Sequence, residues 1–469
     1  MMNNLPESWC WTKLSAVVSF NPGIDKSKFR CDDEMPFVPM SAIEAGTGCI
    51  DTTERRPLFK VKTGFTSFST GDVLFAKITP CMENGKMAIV PVLPNDVGFG
   101  TTELHVLRPS DAVDAKLLYY FVSSASLRHE AQHKMTGAVG QKRVPKRYLE
   151  TKEFPLPPLA EQRRIVEKIE SLFTRLDKGE EGLCKVRRLL SLYRQSILKD
   201  AFAGRLVPQD PDDEPAVELL ARIQKTRPSI TTNTDDMMEK IELPESWTWS
   251  TIHGISETIF GQSPSSSSYN RDGDGLPFFQ GKAEFGDKHP VAKKWCSAHA
   301  REAKRGDILI SIRAPVGPTN VADRRCAIGR GLAAIRPIIE ADYVRFWLKR
   351  SERYLEEKGT GTTFSAISKN TLNTYLIPVA PLKEQHRIVE KIDMLFAQVD
   401  KLEEEINNAQ RLIAHCRQSI LKKAFIGRLV LQDTNDEPAS ELLACVQKTR
   451  SVAIGKARSK TKKQTIHRG

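Results

Sequence analysis

The sequence predicts an α+β fold: two tandem mixed α+β domains separated by two long helices that form an intramolecular antiparallel coiled coil. Three observations carry this. Residues 158–227 and 381–450 align without a gap, with about 44 of 70 positions identical, so the chain contains an internal repeat. Within each copy the apolar residues keep a heptad spacing. The stretches ahead of the copies are less alike, and their short apolar runs are punctuated by Gly and Pro, as strands and turns are.

Length and composition bound the rest. At 469 residues the chain holds two or more domains, each large enough for its own core. It is 40% hydrophobic and 27% charged, as soluble globular proteins are. No run reaches the roughly 18 apolar residues of a membrane span, and the N-terminus lacks the pattern of a secretory signal. Nine scattered cysteines without a Cys-x-x-Cys pair argue for free thiols in a cytoplasmic setting, and against a zinc site or a disulfide framework. The net charge is +12, so nucleic acid is the first partner to consider.

The expected domains are 1–155, a first insert; 156–227, a central repeated region; 228–242, a flexible Ser/Thr/Asp-rich linker; 243–378, a second insert; 379–450, a distal repeated region; and 451–469, a basic disordered tail. The inserts open alike, Leu5-Pro6-Glu7-Ser8-Trp9 and Leu243-Pro244-Glu245-Ser246-Trp247. They match again at Gly71-Asp72-Val73-Leu74 and Gly306-Asp307-Ile308-Leu309, a turn feeding a strand. Helical signal enters late in each, beginning at Asp114 and at Asp342.

In the first repeat the seam runs through Ile165, Ile169, Leu172, Leu176, Leu183, Val186, Leu190 and Ile197. In the second it runs through Ile388, Ile392, Leu395, Val399, Leu402, Ile406, Ile413 and Ile420. A seam over about four heptads predicts helices of about 40 residues, roughly 60 Å each. Each could be a core helix of its own domain, but two matched seams in one chain are most simply satisfied by each other. Periodicity alone admits a parallel pairing; a two-fold axis relating two DNA readers favours the antiparallel one. Gly204 and Gly427 stand where C-terminal caps are expected.

The sequence shows no phosphate-binding loop, no dinucleotide fingerprint and no His-Glu-x-x-His, so it makes no case for catalysis, for a bound metal or for a cofactor held by this chain. DNA contact has better candidates. One basic loop carries Arg128, Lys134, Gln141, Lys142, Arg143, Lys146 and Arg147, able to neutralise phosphates and reach base edges. Its counterpart in the second insert offers Thr360, Thr362, Thr363 and Lys369. Lys77 and Arg313 end matched strands; Gln280 and Lys282 follow an apolar pair; Arg324, Arg325 and Arg330 add charge.

The repeats carry a recognisable pattern: Pro-Leu-x-Glu-Gln-x-Arg-Ile-Val-Glu-Lys-Ile at 158–169 and 381–392, Arg-Gln-Ser-Ile-Leu-Lys, and Ala-Phe-x-Gly-Arg-Leu-Val at 201–207 and 424–430. With the Leu-Pro-Glu-Ser-Trp openings, they make the chain resemble the specificity subunit of type I restriction–modification systems. The resemblance spans nearly the whole chain. It implies that the inserts are target-recognition domains and that each reads one half of a split double-stranded DNA site. It also implies that the helices dock two modification subunits, which use S-adenosylmethionine to methylate adenine. Restriction subunits that use ATP and Mg²⁺ would join them, leaving this chain non-catalytic. Two other readings remain open here: a coiled-coil scaffold for acidic proteins, and a methyltransferase or nuclease in its own right.

Overall fold

The computed structural model describes residues 5–138, 140–225, 242–298, 301–359 and 366–448. Most of the expected linker and all of the expected tail therefore lie outside the described residues. The chain forms two compact units, and they do not follow the linear order of the expected domains. One unit comprises 1–182 with 408–469; the other is 183–407. Each long helix, Leu159–Ala201 and Leu382–Phe425, contributes a segment to both.

The first unit holds an antiparallel four-stranded sheet, ordered Val18–Phe20, Leu104–Pro109, Val73–Ala76, Met87–Ile89. A second four-stranded sheet contains one parallel pair, Glu34–Val38 with Val97–Gly100. The Gly-Asp turn has a physical reason. Buried Asp72 accepts from Ser69 N at 2.7 Å and from Arg108 at 2.7 Å through two nitrogens, which fixes the strand entry. The helix Ala115–Ser123 is capped by Asp114, whose carboxylate accepts from Lys116 N and Leu117 N.

The second unit repeats the plan. Its antiparallel sheet runs Ser256–Phe260, Leu332–Pro337, Ile308–Ser311, Thr319–Val321. Its five-stranded sheet pairs Leu276–Phe279 in parallel with Cys326–Ile328. Asp307 accepts from Lys304 N and Arg336 as Asp72 does from its partners. The helix Ala341–Arg350 starts one residue ahead of the Asp342 expected from sequence, because Glu340 supplies the cap.

Inside each unit the helix segments run antiparallel. In the first, Arg417 pairs with Asp177 and Glu180 over the Phe173 ring, while Gln432 reaches back to Glu161. In the second, Arg187 meets Asn407, and Arg194 pairs with Asp400 and Glu403 over Phe396. The seam is narrower than its periodicity predicts. Leu183, Leu190, Val399 and Ile406 pack helix on helix. Ile165 and Ile169 instead enter the first domain's core, and Ile197, Ile388 and Ile392 enter the second's. Leu395 and Ile420 lean on those cores; Leu172, Leu176 and Ile413 are half-buried. Val186 and Leu402 are 44% and 46% exposed. A straight helix drifts by roughly 20° per heptad against a 3.5-residue pattern, so turns anchored in globular cores leave part of a regular seam outside.

Each unit is closed by the same lock. In the first, Glu161 has no exposed surface; it accepts from Trp9 Nε1 at 2.8 Å and from Gln432 Nε2 at 2.6 Å. Arg164 pairs with Asp436, and Ala439 N donates to Ser8 O. Gln162 donates to Ala112 O and Pro157 O and accepts from Asp114 N. In the second, Glu384 accepts from Trp247 Nε1 at 3.0 Å and Gln209 Nε2 at 2.6 Å, Arg387 pairs with Asp213, and Ala216 N donates to Ser246 O. Gly204 and Gly427, with φ of 67° and 70°, end the helices as expected. A Cβ on either would lie 2.3 Å from the Pro of the insert opening, Pro244 or Pro6.

Burial pushes the Glu161 and Glu384 carboxyls up, against the pull of their Trp and Gln donors. A carboxyl raised in the folded state binds protons more tightly folded than unfolded. Its stabilising contribution is full below the unfolded glutamate value and is lost as pH rises through the folded one. The double variant Glu161→Gln, Glu384→Gln should therefore lose less thermal stability than the parent between about pH 4 and pH 7. Thermal midpoints measured across that range check it; parallel pH profiles would refute it.

Candidate nucleic-acid interface

Four of the residues singled out from sequence meet at one place. Gln280 follows the strand Leu276–Phe279, and Arg313 follows Ile308–Ser311. Arg330 lies in the turn between Cys326–Ile328 and Leu332–Pro337. With Lys282 and Ser263 they line a cleft of about 250 Å³. The sheet topology explains the convergence: the parallel pair Leu276–Phe279 and Cys326–Ile328 end at one edge, where the antiparallel sheet begins. Gln280, Lys282, Arg313 and Arg330 are all exposed. No carboxylate lines the cleft.

The first domain builds the corresponding edge differently. Its basic loop is a hairpin: Thr136 and Arg143 exchange backbone hydrogen bonds, and Arg143 also bridges to Ile78 at the end of Val73–Ala76. Ile78 is the register equivalent of Arg313, which bridges in the same way to Ala366. Lys77 is thus one position away from matching Arg313, and successive residues of an extended strand point to opposite faces. The equivalent of Arg330 is Thr102, and that of Gly331 is Glu103.

Counter-charges sort the remaining candidates. Arg143 is held through two nitrogens by Glu103, at 2.8 Å each, which keeps the Glu103 carboxyl below the usual range. Arg128 is a structural tie, donating to Ser123 O and Glu83 O. Lys146 pairs with Glu150, Arg324 with Asp323 and Arg325 with Glu302. Lys134, Gln141, Lys142, Arg147 and Lys369 are exposed, with no side-chain hydrogen bond or ion pair among the described residues. Thr360, Thr362 and Thr363 lie outside the described residues. Glu103 and Glu302 lie 40 and 23 positions from the arginines they hold, so spacing does not reveal those pairs, whereas Glu150 and Asp323 are close in sequence to theirs.

The model of the type I restriction modification DNA specificity domain matches residues 6–182 and again residues 244–410. The chain belongs to the type I restriction–modification specificity-subunit family. This specificity subunit is 29% identical over 495 residues to the EcoAI specificity subunit of Escherichia coli, covering 90% of this chain and 83% of that one. Against the EcoEI specificity subunit of Escherichia coli it is 28% identical over 500 residues, with the same coverage. Among solved structures, a chain from work on complex assembly and conformational transition of the type I R-M system is 33% identical. It superposes with a TM-score of 0.73 over 91% of this subunit and 99% of that chain. The HsdS subunit of Thermoanaerobacter tengcongensis gives 32% identity and 0.58 over 90% and 98%. Among the described residues there is no cluster of three or more metal-ligating side chains, and no helix is long and apolar enough to cross a membrane.

Unpaired cations give up less on meeting a phosphate than paired ones, which must first release a carboxylate. Replacing Lys142 and Arg147 by alanine should weaken duplex binding and flatten its salt slope by about one unit for each phosphate no longer neutralised. Replacing Arg324 and Arg325 should leave the slope unchanged. Binding isotherms at several salt concentrations separate the two outcomes; equal effects would show that counter-charges do not decide the interface.

Proposed function

We propose that the chain binds a bipartite double-stranded DNA site, one half per insert domain, while the paired helices act as spacer and as docking platform for two modification subunits. Those subunits would bind S-adenosylmethionine and methylate adenine. Restriction subunits using ATP and Mg²⁺ would join the complex for translocation and cleavage. The chain itself contributes no catalytic group and works in the cytoplasm, in keeping with its free thiols.

One observation carries the reading. Two scaffolds closed by the same lock present different chemistry at equivalent strand ends: Arg330 and Gly331 in one, Thr102 and Glu103 in the other. A frame kept constant while its tips differ is what two different half-sites require. A scaffold for acidic proteins would not need two unlike polar edges on matched strands.

Exchanging residues 243–378 for the corresponding domain of a relative with a different target should change one half of the methylated site and leave the other intact. A change in both halves, or in neither, would refute one half per domain. Inserting one heptad at matched points of both long helices should lengthen the gap between the halves, as read from methylated adenines in genomic DNA. An unchanged gap would remove the spacer role.

A further inference from the structure

We propose that Arg330 and Gln280 are the base-reading residues of the second insert domain, Arg330 for a guanine and Gln280 for an adenine, with Lys282 and Arg313 on flanking phosphates. The proposal rests on the DNA-recognition reading and adds to it a division of labour among named side chains.

The geometry separates the two kinds of contact. Reading a base edge requires a fixed direction, because bases differ in the placement of donors and acceptors. A phosphate contact requires only charge within reach. The turn carrying Arg330 is fixed on every side. Leu332 N donates to Gly329 O, Gly329 N to Phe279 O and Ile312 N to Gly331 O, while Arg330 N lies 3.4 Å from Ser263 Oγ. A Cβ on Gly331 would stand 2.1 Å from Gln280 O. Only glycine allows that approach, so Arg330 is the one side chain the turn projects.

Gln280 is held almost as firmly. It follows Phe278 and Phe279, each 1% exposed, and its N–H donates to Glu284 Oε2. Both residues thus leave fixed backbone positions, and among the described residues neither head group has a hydrogen-bond partner. Lys282 instead carries its charge on a long stem at the start of a single short turn, Lys282–Glu284.

The chemistry of the cleft favours purines. Arginine matches guanine O6 and N7, and glutamine matches adenine N6 and N7. A cytosine amino group calls for a carboxylate, and the cleft has none. The neighbouring Arg324, Arg325 and Arg336 are each engaged by an acidic side chain; Arg330 is not engaged by any among the described residues. The corresponding turn of the first domain carries Thr102 and Glu103, so the effect belongs to one half-site only.

The test is the methylated motif in cells that make the full chain with its modification partner, read by long-read sequencing. Arg330→Ala should turn one guanine position of one half into a degenerate position, with discrimination there falling roughly 5- to 150-fold. The gap and the other half should not change. Gln280→Ala should do the same at an adenine position. Lys282→Ala should reduce methylation at all sites with the motif intact. Arg330→Gln guards against a folding defect, because it should move that position from guanine towards adenine, a gain that misfolding cannot produce. An unaltered motif with uniformly weaker methylation in Arg330→Ala and Arg330→Gln would make Arg330 a phosphate contact and overturn the proposal. So would a change in the other half. If the parent chain itself gives no bipartite motif, the underlying reading has failed instead.

Discussion

Burying a glutamate without exposed surface costs several kcal/mol unless donors replace the lost water. Glu161 and Glu384 are buried in that way, and each takes its donors from two remote parts of the chain. The tryptophan comes from the opening of an insert, and the glutamine from the turn after the opposite repeat. Neither donor can be left out cheaply, so the buried carboxylate fixes which insert meets which repeat. The Arg–Asp pair and the backbone bond to the serine carbonyl hold the same three segments in register. In both copies of the repeated motif the buried Glu and Gln and the Arg two positions further on make these bonds.

The same matching of partners governs the basic surface. A net charge of +12 suggests an undifferentiated attraction for anions. Much of the charge on the candidate residues is already committed to carboxylates or backbone carbonyls. Arg143 braces a hairpin against a strand end, and Arg128 ties two helices to a turn. Of the cations that remain, Arg313 and Arg330 stand where strands end, and there the two domains differ.

The architecture was largely legible in the sequence, because a duplicated frame announces itself as identity and a helix pair as a heptad seam. The reach of the seam was not. Ile165 and Ile388 obey the heptad pattern yet belong to domain cores, since periodicity records that a face is buried and not what buries it. The cross-closure was hidden for a related reason. Gln209 and Gln432 carry no signal of their role in the sequence, because their partners lie 175 and 271 positions away. At the interface, residue type pointed to Gln280 and Arg330, whose neighbourhood is built by adjacent strands. It could not separate Arg143 or Arg325 from them, because Glu103 and Glu302 come close only through sheet pairing and a folded-back loop.

The discontinuity of the first unit has a temporal meaning. The second unit is one continuous segment, 183–407, whereas the first needs both 1–182 and the segment beyond 407. Chains usually fold N-terminal part first as they leave the ribosome, at about 5–20 residues per second. Here the later segment can reach its full set of contacts first. The opening insert, with Trp9 awaiting Gln432, must stay incomplete for the tens of seconds that its last partner takes to be made. Truncation near the C-terminus would therefore damage the N-terminal domain before the one beside the cut.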